Sequence, residues 1–202
     1  MDNKLPITPK KRRSIDAFSH AFFSLLEEMP YDKISISNII AKSEYSRTAF
    51  YSNFLDKDDF VEKLLSLEVA YHVHAIYDCI ASNRELFDGD MYLPSLNLYK
   101  HVYKQKDLYH ALITNKVPSW NLPLFCDKCD YYFKNNIRMP INEITPELNL
   151  EFYQYVKTFQ YLSFIMYWDK SGYKYSSEYM AKQTGLFIKL HNSALVDILE
   201  VY

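Results

Sequence analysis

SISNIIAKSEYSRTAFYSNFLDKDDF, residues 35–60, reads as two short helices followed by the start of a long one. Ser35 is placed to cap the first helix, its hydroxyl accepting from a backbone N–H two or three residues on. Ile36, Ile39 and Ile40 then share one helical side. Ser43-Glu44-Tyr45 breaks the pattern, and Ser46 is placed to cap a second helix. One face of that helix carries Ala49, Phe50 and Phe54 toward a core. The other carries Arg47, Thr48 and Tyr51. Asp56 is placed to cap the third helix, where Phe60 and Leu64 continue the apolar stripe. Two helices this short, joined by about three or four residues, are the helix-turn-helix format, whose second helix enters the DNA major groove.

The run Ser35, Ile39, Ser46, Phe50-Tyr51, Phe54 and Lys57 resembles the N-terminal signature of TetR-type transcriptional regulators. The resemblance extends to both helix lengths and to the Tyr and Lys positions. Ile40 and Ser43 stand where that pattern has small Ala residues, Glu44 where it has the turn Gly, Tyr45 where it has Val, and Asn53 where it has His or Tyr. The Glu44 position is a left-handed one that suits Gly, and any other residue there carries a steric cost. Two further stretches are similar to the C-terminal domain of one TetR-type subgroup. One is Leu98-Tyr99-Lys100-His101 through Asp107-Leu108-Tyr109. The other is Tyr167-Trp168-Asp169-Lys170-Ser171-Gly172 with Ser176-Ser177-Glu178-Tyr179-Met180-Ala181. That subgroup includes regulators that act with a protein partner as well as small-molecule responders.

The resemblance implies an all-α protein with a three-helix head on a larger helical body, and the chain's own helical pattern gives about nine helices in all. It implies a homodimer that binds a palindromic double-stranded DNA operator, most simply as a repressor, with an unknown small-molecule effector or protein partner on the body. The expected divisions are an arm at residues 1–9, a DNA-binding domain at 10–55 and a ligand-binding and dimerisation domain at 56–202. The expected DNA-contacting set is Ser35, Tyr45, Ser46, Arg47, Thr48, Tyr51 and Lys57. Arg47 suits guanine O6 and N7, and Thr48 suits a thymine methyl. Tyr51 and Lys57 are suited to phosphates, which fix register without reading sequence. An ordinary solvated helix face is the plainer reading of the same side chains.

Composition is consistent with that reading. The chain has 202 residues, 49% hydrophobic and 17% aromatic, which excludes disorder. Only 3 Gly are present, so long helices are expected. The formal net charge is −2, so DNA affinity has to come from local charge. Lys10-Lys11-Arg12-Arg13 is the only dense basic cluster, equally readable as a solvated helix start. No apolar run approaches the roughly 18–20 residues of a membrane span, and no signal-peptide pattern follows the N-terminus, so a cytoplasmic location is expected.

Helices are expected over residues 10–29, 57–83, 94–105, 107–114, 118–138, 146–171 and from 176 or 177 onward, beside the two of the helix-turn-helix. Turns are expected at Asp88-Gly89-Asp90 and Met139-Pro140, with Gly172 at a helix end that needs positive φ. Cys126-Asp127-Lys128-Cys129 spaces two thiols one helical turn apart, but zinc needs two more ligands, and only Cys79 and His74 offer themselves. Small buried residues are the plainer reading. No cofactor or metal is expected. His72 and His74 lie on different helix sides, and no nucleophile motif or phosphate loop is present, so an enzyme is not expected.

The aromatic residues of the body admit two readings, a packed core and a ligand pocket with polar handles. The pocket reading selects Tyr71, His74, Tyr103, Phe125, Tyr132 and Tyr161. The dimer interface is expected on the last two long helices, at Phe159, Leu162, Met166, Phe187, Leu190 and Ala194; burial of both apolar stripes within a single compact body is the other reading. The first of these helices carries apolar residues on nearly all sides, leaving only a narrow polar strip that includes Gln154 and Thr158.

Overall fold

Each of the three expected caps in residues 35–60 forms. Ser35 Oγ accepts from Asn38 N at 3.2 Å, Ser46 Oγ from Ala49 N at 3.1 Å, and Asp56 Oδ1 from Asp59 N at 2.8 Å. The computed structural model describes residues 8–82, 92–137 and 147–199, and among these it contains nine α-helices and no strand. In chain order they are α1 (Pro9–Glu28), α2 (Ile36–Ser43), α3 (Arg47–Tyr51), α4 (Lys57–Ser82) and α5 (Tyr92–Lys104). These are followed by α6 (Lys106–Ile113), α7 (Leu122–Asn136), α8 (Leu150–Lys170) and α9 (Ser177–Leu199). A 3-10 turn at Tyr31–Lys33 joins α1 to α2. None of the described helices is long and apolar enough to cross a membrane.

Some boundaries differ from the sequence reading. Thr8 caps α1 and Pro9 opens it, so the helix takes the last residue of the expected arm. α7 starts at Leu122, four residues after the Pro118 that was expected to precede it. Trp120 N bonds to Val117 O at 2.9 Å in a turn, and Asn121 supplies the cap, its Oδ1 accepting from Leu124 N at 2.8 Å. α8 starts at Leu150, where Asn149 Oδ1 accepts from Phe152 N at 3.0 Å. Prolines marked the starts in the sequence, but the side chains that cap are asparagines. Gly172 adopts φ +69, as its place after α8 requires. The turns expected at Asp88-Gly89-Asp90 and Met139-Pro140 lie outside the described residues, as do residues 1–7.

Contacts divide the chain into two compact units. The first is Met1–Glu68 with His110–Phe125. Its centre is a set of phenylalanine rings. Phe18 meets Phe50 edge-on at 5.2 Å, Phe22 meets Phe60 at 5.4 Å, and Phe54 meets Phe60 at 4.9 Å. All five are at most 1% exposed. In the same unit Phe23 packs against Trp120, and Lys116 pairs with Glu27 at 2.5 Å.

The second unit is Val69–Tyr109 with Cys126–Tyr202. Here α5 packs against α9, and the hydroxyls of Tyr99 and Thr184 share a hydrogen bond of 2.5 Å. Trp168 is fully buried, stands edge-on to Tyr99 at 5.6 Å, and donates its indole N–H to Tyr175 O at 3.1 Å. Cys126 and Cys129 are buried and not joined in a disulfide, and burial pushes the Cys126 thiol up to about 12, which leaves it an inert thiol at neutral pH.

Candidate nucleic-acid interface

Helix α3 is oriented by what lies beneath it. Phe50 is fully buried among Phe18, Phe54 and Phe60, so the side of α3 opposite Phe50 is turned to solvent. Arg47, Thr48 and Tyr51 are exposed there, Tyr51 by 46%. The Arg47 guanidinium lies 5.9 Å from the Tyr51 ring centre, an i, i+4 pairing that extends both side chains from one face. At the C-terminal end of α3, the Asn53 amide donates to Ala49 O at 2.8 Å and to Ser14 Oγ at 3.3 Å, tying the helix to α1.

The approach to α3 is held from α2. Ser35 and Asn38 form a capping box, with Ser35 N donating to Asn38 Oδ1 at 2.9 Å. Ser43 Oγ accepts from Tyr45 N at 3.2 Å across the turn. Glu44 ends α2 at φ +61 and ψ +13, the left-handed conformation that the sequence assigned to this position. A non-glycine residue there is held in place by its neighbours at a steric cost. Tyr45 is half-exposed and its ring leans on Phe18 at 5.6 Å.

A groove of about 710 Å³ runs beside α3, and its walls include Lys10, Lys11 and Arg13 from the start of α1, with Ser46, Thr48 and Ser52 opposite. None of its lining residues is acidic. The basic cluster and α3, more than thirty residues apart in sequence, thus line one groove. The sequence carried the cluster but not its position; only the packing of α1 against α3 supplies that.

Lys57 is placed differently from the rest of the expected set. Its ammonium donates to Tyr31 O and to Ile34 O, both at 3.0 Å, and lies 4.0 Å from the Tyr31 ring centre. It braces the connection between α1 and α2, and two of its three N–H donors are used there.

The residues expected to line a body pocket are spread over both units. Phe125 belongs to the first unit and the other five to the second. Tyr103 is 49% exposed and stacks on Trp168 at 5.8 Å. Tyr71 stacks on His101, His74 Nε2 shares a hydrogen bond of 3.1 Å with Tyr132 Oη, and Tyr161 is fully buried with its hydroxyl 3.3 Å from Ser95 Oγ. His72 is also fully buried, its Nδ1 2.9 Å from Tyr109 Oη, and burial, with His101 adding to it, pushes its pKa down to about 3. Among the described residues, no group of three or more His, Cys, Asp or Glu is arranged to hold a metal ion.

Of the expected interface residues, Met166, Phe187 and Leu190 are exposed and Phe159 is half-buried. Leu162 is 1% exposed within its own unit, which corrects its assignment to a dimer contact: it sits on the inward side of α8 with Tyr161 and Ile165. Ala194 lies outside the residues whose side chains are described. Gln154 and Thr158, from the narrow polar strip, are buried.

No family model matches the chain. A curated protein, the helix-turn-helix-type transcriptional regulator YwcC of Bacillus subtilis (strain 168), itself uncharacterised, is 30% identical over 123 residues, or 61% of this chain. The chain spans about half the length of that relative, 51% of it. Among solved structures, one from Syntrophomonas wolfei described as a TetR-family transcriptional regulator matches with a TM-score of 0.65 at 18% identity, covering 89% of this chain and 94% of that one. The dihydroxyacetone kinase operon activator DhaS matches with a TM-score of 0.50 at 14% identity, over 88% of this chain and 95% of that one. At these identities the two structures establish the fold.

Proposed function

We propose that this chain, whose fold is that of the TetR-type regulators, is a transcriptional regulator that reads double-stranded DNA in the cytoplasm. The observation that carries the reading is the exposed face of α3, Arg47, Thr48 and Tyr51, set beside a groove lined by Lys10, Lys11 and Arg13 with no acid among its lining residues. Arg47 and Thr48 are the base-reading pair, and Ser35, Tyr45, Ser46 and Tyr51 hold phosphates. The α1 cluster supplies the local positive charge that a net charge of −2 lacks overall. Lys57 has its main role inside the head and adds at most one phosphate bond. Arg47→Ala is expected to cost roughly 1–3 kcal/mol in binding and to relax preference at one base position. Lys57→Ala is expected to lower head stability together with affinity, equally on all sequences. If Lys57→Ala changes base preference and Arg47→Ala does not, the assignment fails.

The regulator acts as a homodimer, most simply as a repressor released by a small molecule bound in the body. Support for the dimer comes from α8 and α9, which expose Phe152, Val156, Met166, Leu186, Phe187 and Leu190. An apolar surface of that extent on two adjacent long helices suits a four-helix interface with a second copy. Phe187→Glu with Leu190→Glu is expected to give a folded monomer that no longer binds a two-half-site operator, whereas Leu162→Glu is expected to unfold the body. Sedimentation that finds the double variant still dimeric removes these residues from the interface. A ligand with higher affinity for a dimer conformation of different recognition-helix spacing would lower DNA affinity by its differential binding free energy.

Glu44 favours a second reading. Its carboxylate stands exposed at the turn that leads into α3, where it repels phosphate. In that reading the body binds a protein partner and DNA binding is weak or indirect. A mobility-shift assay with the purified chain alone separates the two.

A further inference from the structure

The first half of α8 is turned inside out. Phe152 is 65% exposed, and Tyr155 and Val156 are exposed beside it, while Gln154 is 0% and Thr158 2% exposed. A helix packed on a core ordinarily shows the reverse. The proposed dimer accounts for the apolar side, but it does not account for the polar side. Gln154 has neither its amide oxygen nor its amide nitrogen in a hydrogen bond. An amide offers two donors and an acceptor with two lone pairs, and native interiors satisfy nearly all such groups.

The neighbours of Gln154 on α8 point to what satisfies it. Lys157 follows three residues on, about 60° around the helix. It is half-buried, its ammonium lies 5.8 Å from the Tyr153 ring centre, and its hydrogen bond to Gln160 Oε1 is long at 3.4 Å. Burial lowers the pKa of that ammonium, so an anion beside it would stabilise the charge. Among the described residues no carboxylate pairs with it; Asp130 and Glu151 are both held by Lys134, at 2.8 and 2.9 Å. Two turns on from Gln154, Tyr161 Oη and Ser95 Oγ are 3.3 Å apart, a long contact for two hydroxyls and one easily exchanged for a better partner.

We infer that the inward face of α8, at Gln154, Lys157 and Tyr161, recognises a small hydroxylated organic anion, which is the effector of this regulator. A hydroxyl both donates and accepts, so it can serve either atom of the Gln154 amide, and a carboxylate or phosphate meets Lys157. An apolar ligand would leave the amide unpaired, and a cation would face Lys157. The inference rests on the effector reading above and adds the ligand's chemical class.

The test is thermal melting of the full-length protein with gluconate, with glucose 6-phosphate and with neutral glucose, each at millimolar concentration. At least one anion is expected to raise Tm by about 3 °C or more while glucose does not, and the stronger of the two identifies carboxylate or phosphate. Gln154→Leu is expected to melt at or above the wild-type temperature, because an apolar side chain replaces an unpaired polar one, and to lose the anion-induced shift. Lys157→Gln is expected to weaken anion binding by about tenfold or more, with little change toward glucose. The inference is overturned if neither anion shifts Tm, if Gln154→Leu keeps the full shift, or if Gln154→Leu melts well below wild type. The last result would mean that the amide is already satisfied by ordered water. A nonpolar ligand that stabilises wild type and Gln154→Leu equally would overturn this inference and leave the effector reading standing. Failure of the wild-type protein to bind DNA would remove the regulator reading itself.

Discussion

The two compact units bury aromatic rings by different means. In the first unit the buried rings are mostly phenylalanines, Trp120 being the exception, and Phe18, Phe22, Phe50, Phe54 and Phe60 meet one another with no polar group to satisfy. In the second, Tyr99, Tyr109 and Tyr161 are fully buried, and their hydroxyls are matched to Thr184, His72 and Ser95. A phenylalanine cluster is held by area and shape, and its stability varies little with pH or small-molecule chemistry. A hydroxyl network responds to protonation and to any ligand that offers better partners. That contrast suits the division of labour proposed above, a DNA-reading head and an effector-responsive body.

The most damaging single change is expected in the first unit. Phe50→Ala should cost roughly 3–5 kcal/mol, because Phe50 is the ring on which Phe18, Phe54 and Phe60 converge. Chemical denaturation would read this loss. A cost near 1 kcal/mol would mean that the cluster collapses around the gap.

The second unit should be the acid-sensitive one. His72 is held neutral, with a folded pKa of about 3 against an ordinary 6.5. Its contribution is therefore fully present above pH 6.5 and is lost as pH falls from 6.5 toward 3. The unfolded chain takes up the proton in that window and the folded one does not. The slope is at most about 1.4 kcal/mol per pH unit. His72→Leu should flatten it. If the variant keeps the wild-type slope, the acid sensitivity lies elsewhere and the contrast between the units weakens.

The smallest expected effect is stabilising and belongs to the head. Glu44→Gly should raise stability by about 1 kcal/mol, since φ +61 suits glycine and strains glutamate. It should also strengthen DNA binding through the loss of a carboxylate near phosphate. A destabilised Glu44→Gly protein would show that the side chain has a favourable contact that offsets its backbone strain.

The head was legible because its determinants are local. A cap and its target are three residues apart, as at Ser35, Ser46 and Asp56, and the left-handed residue at Glu44 sits in a turn of fixed length. The groove was not legible, since Lys10 and Thr48 meet only through packing. Nor was the bracing role of Lys57, whose carbonyl partners lie 23 and 26 residues earlier. In the body, α8 has apolar residues on nearly all sides, and periodicity alone could not tell which stripe faces inward. Leu162, expected in the interface, and Gln154, a polar residue of the same helix, both lie on the inward side. Helix starts were displaced toward Asn121 and Asn149 because proline marks a boundary without fixing which side chain caps it.

The central claim is that α3 reads DNA in a twofold arrangement. Selection of binding sequences by the full-length protein from a random duplex pool tests it most directly, with Arg47→Ala run in parallel. The expected result is enrichment of an inverted repeat whose half-site centres lie about one helical turn apart, roughly 34–36 Å, with the preferred base at one position per half-site lost in Arg47→Ala. A pool with no enriched inverted repeat, or the same repeat enriched equally by Arg47→Ala, would contradict the account.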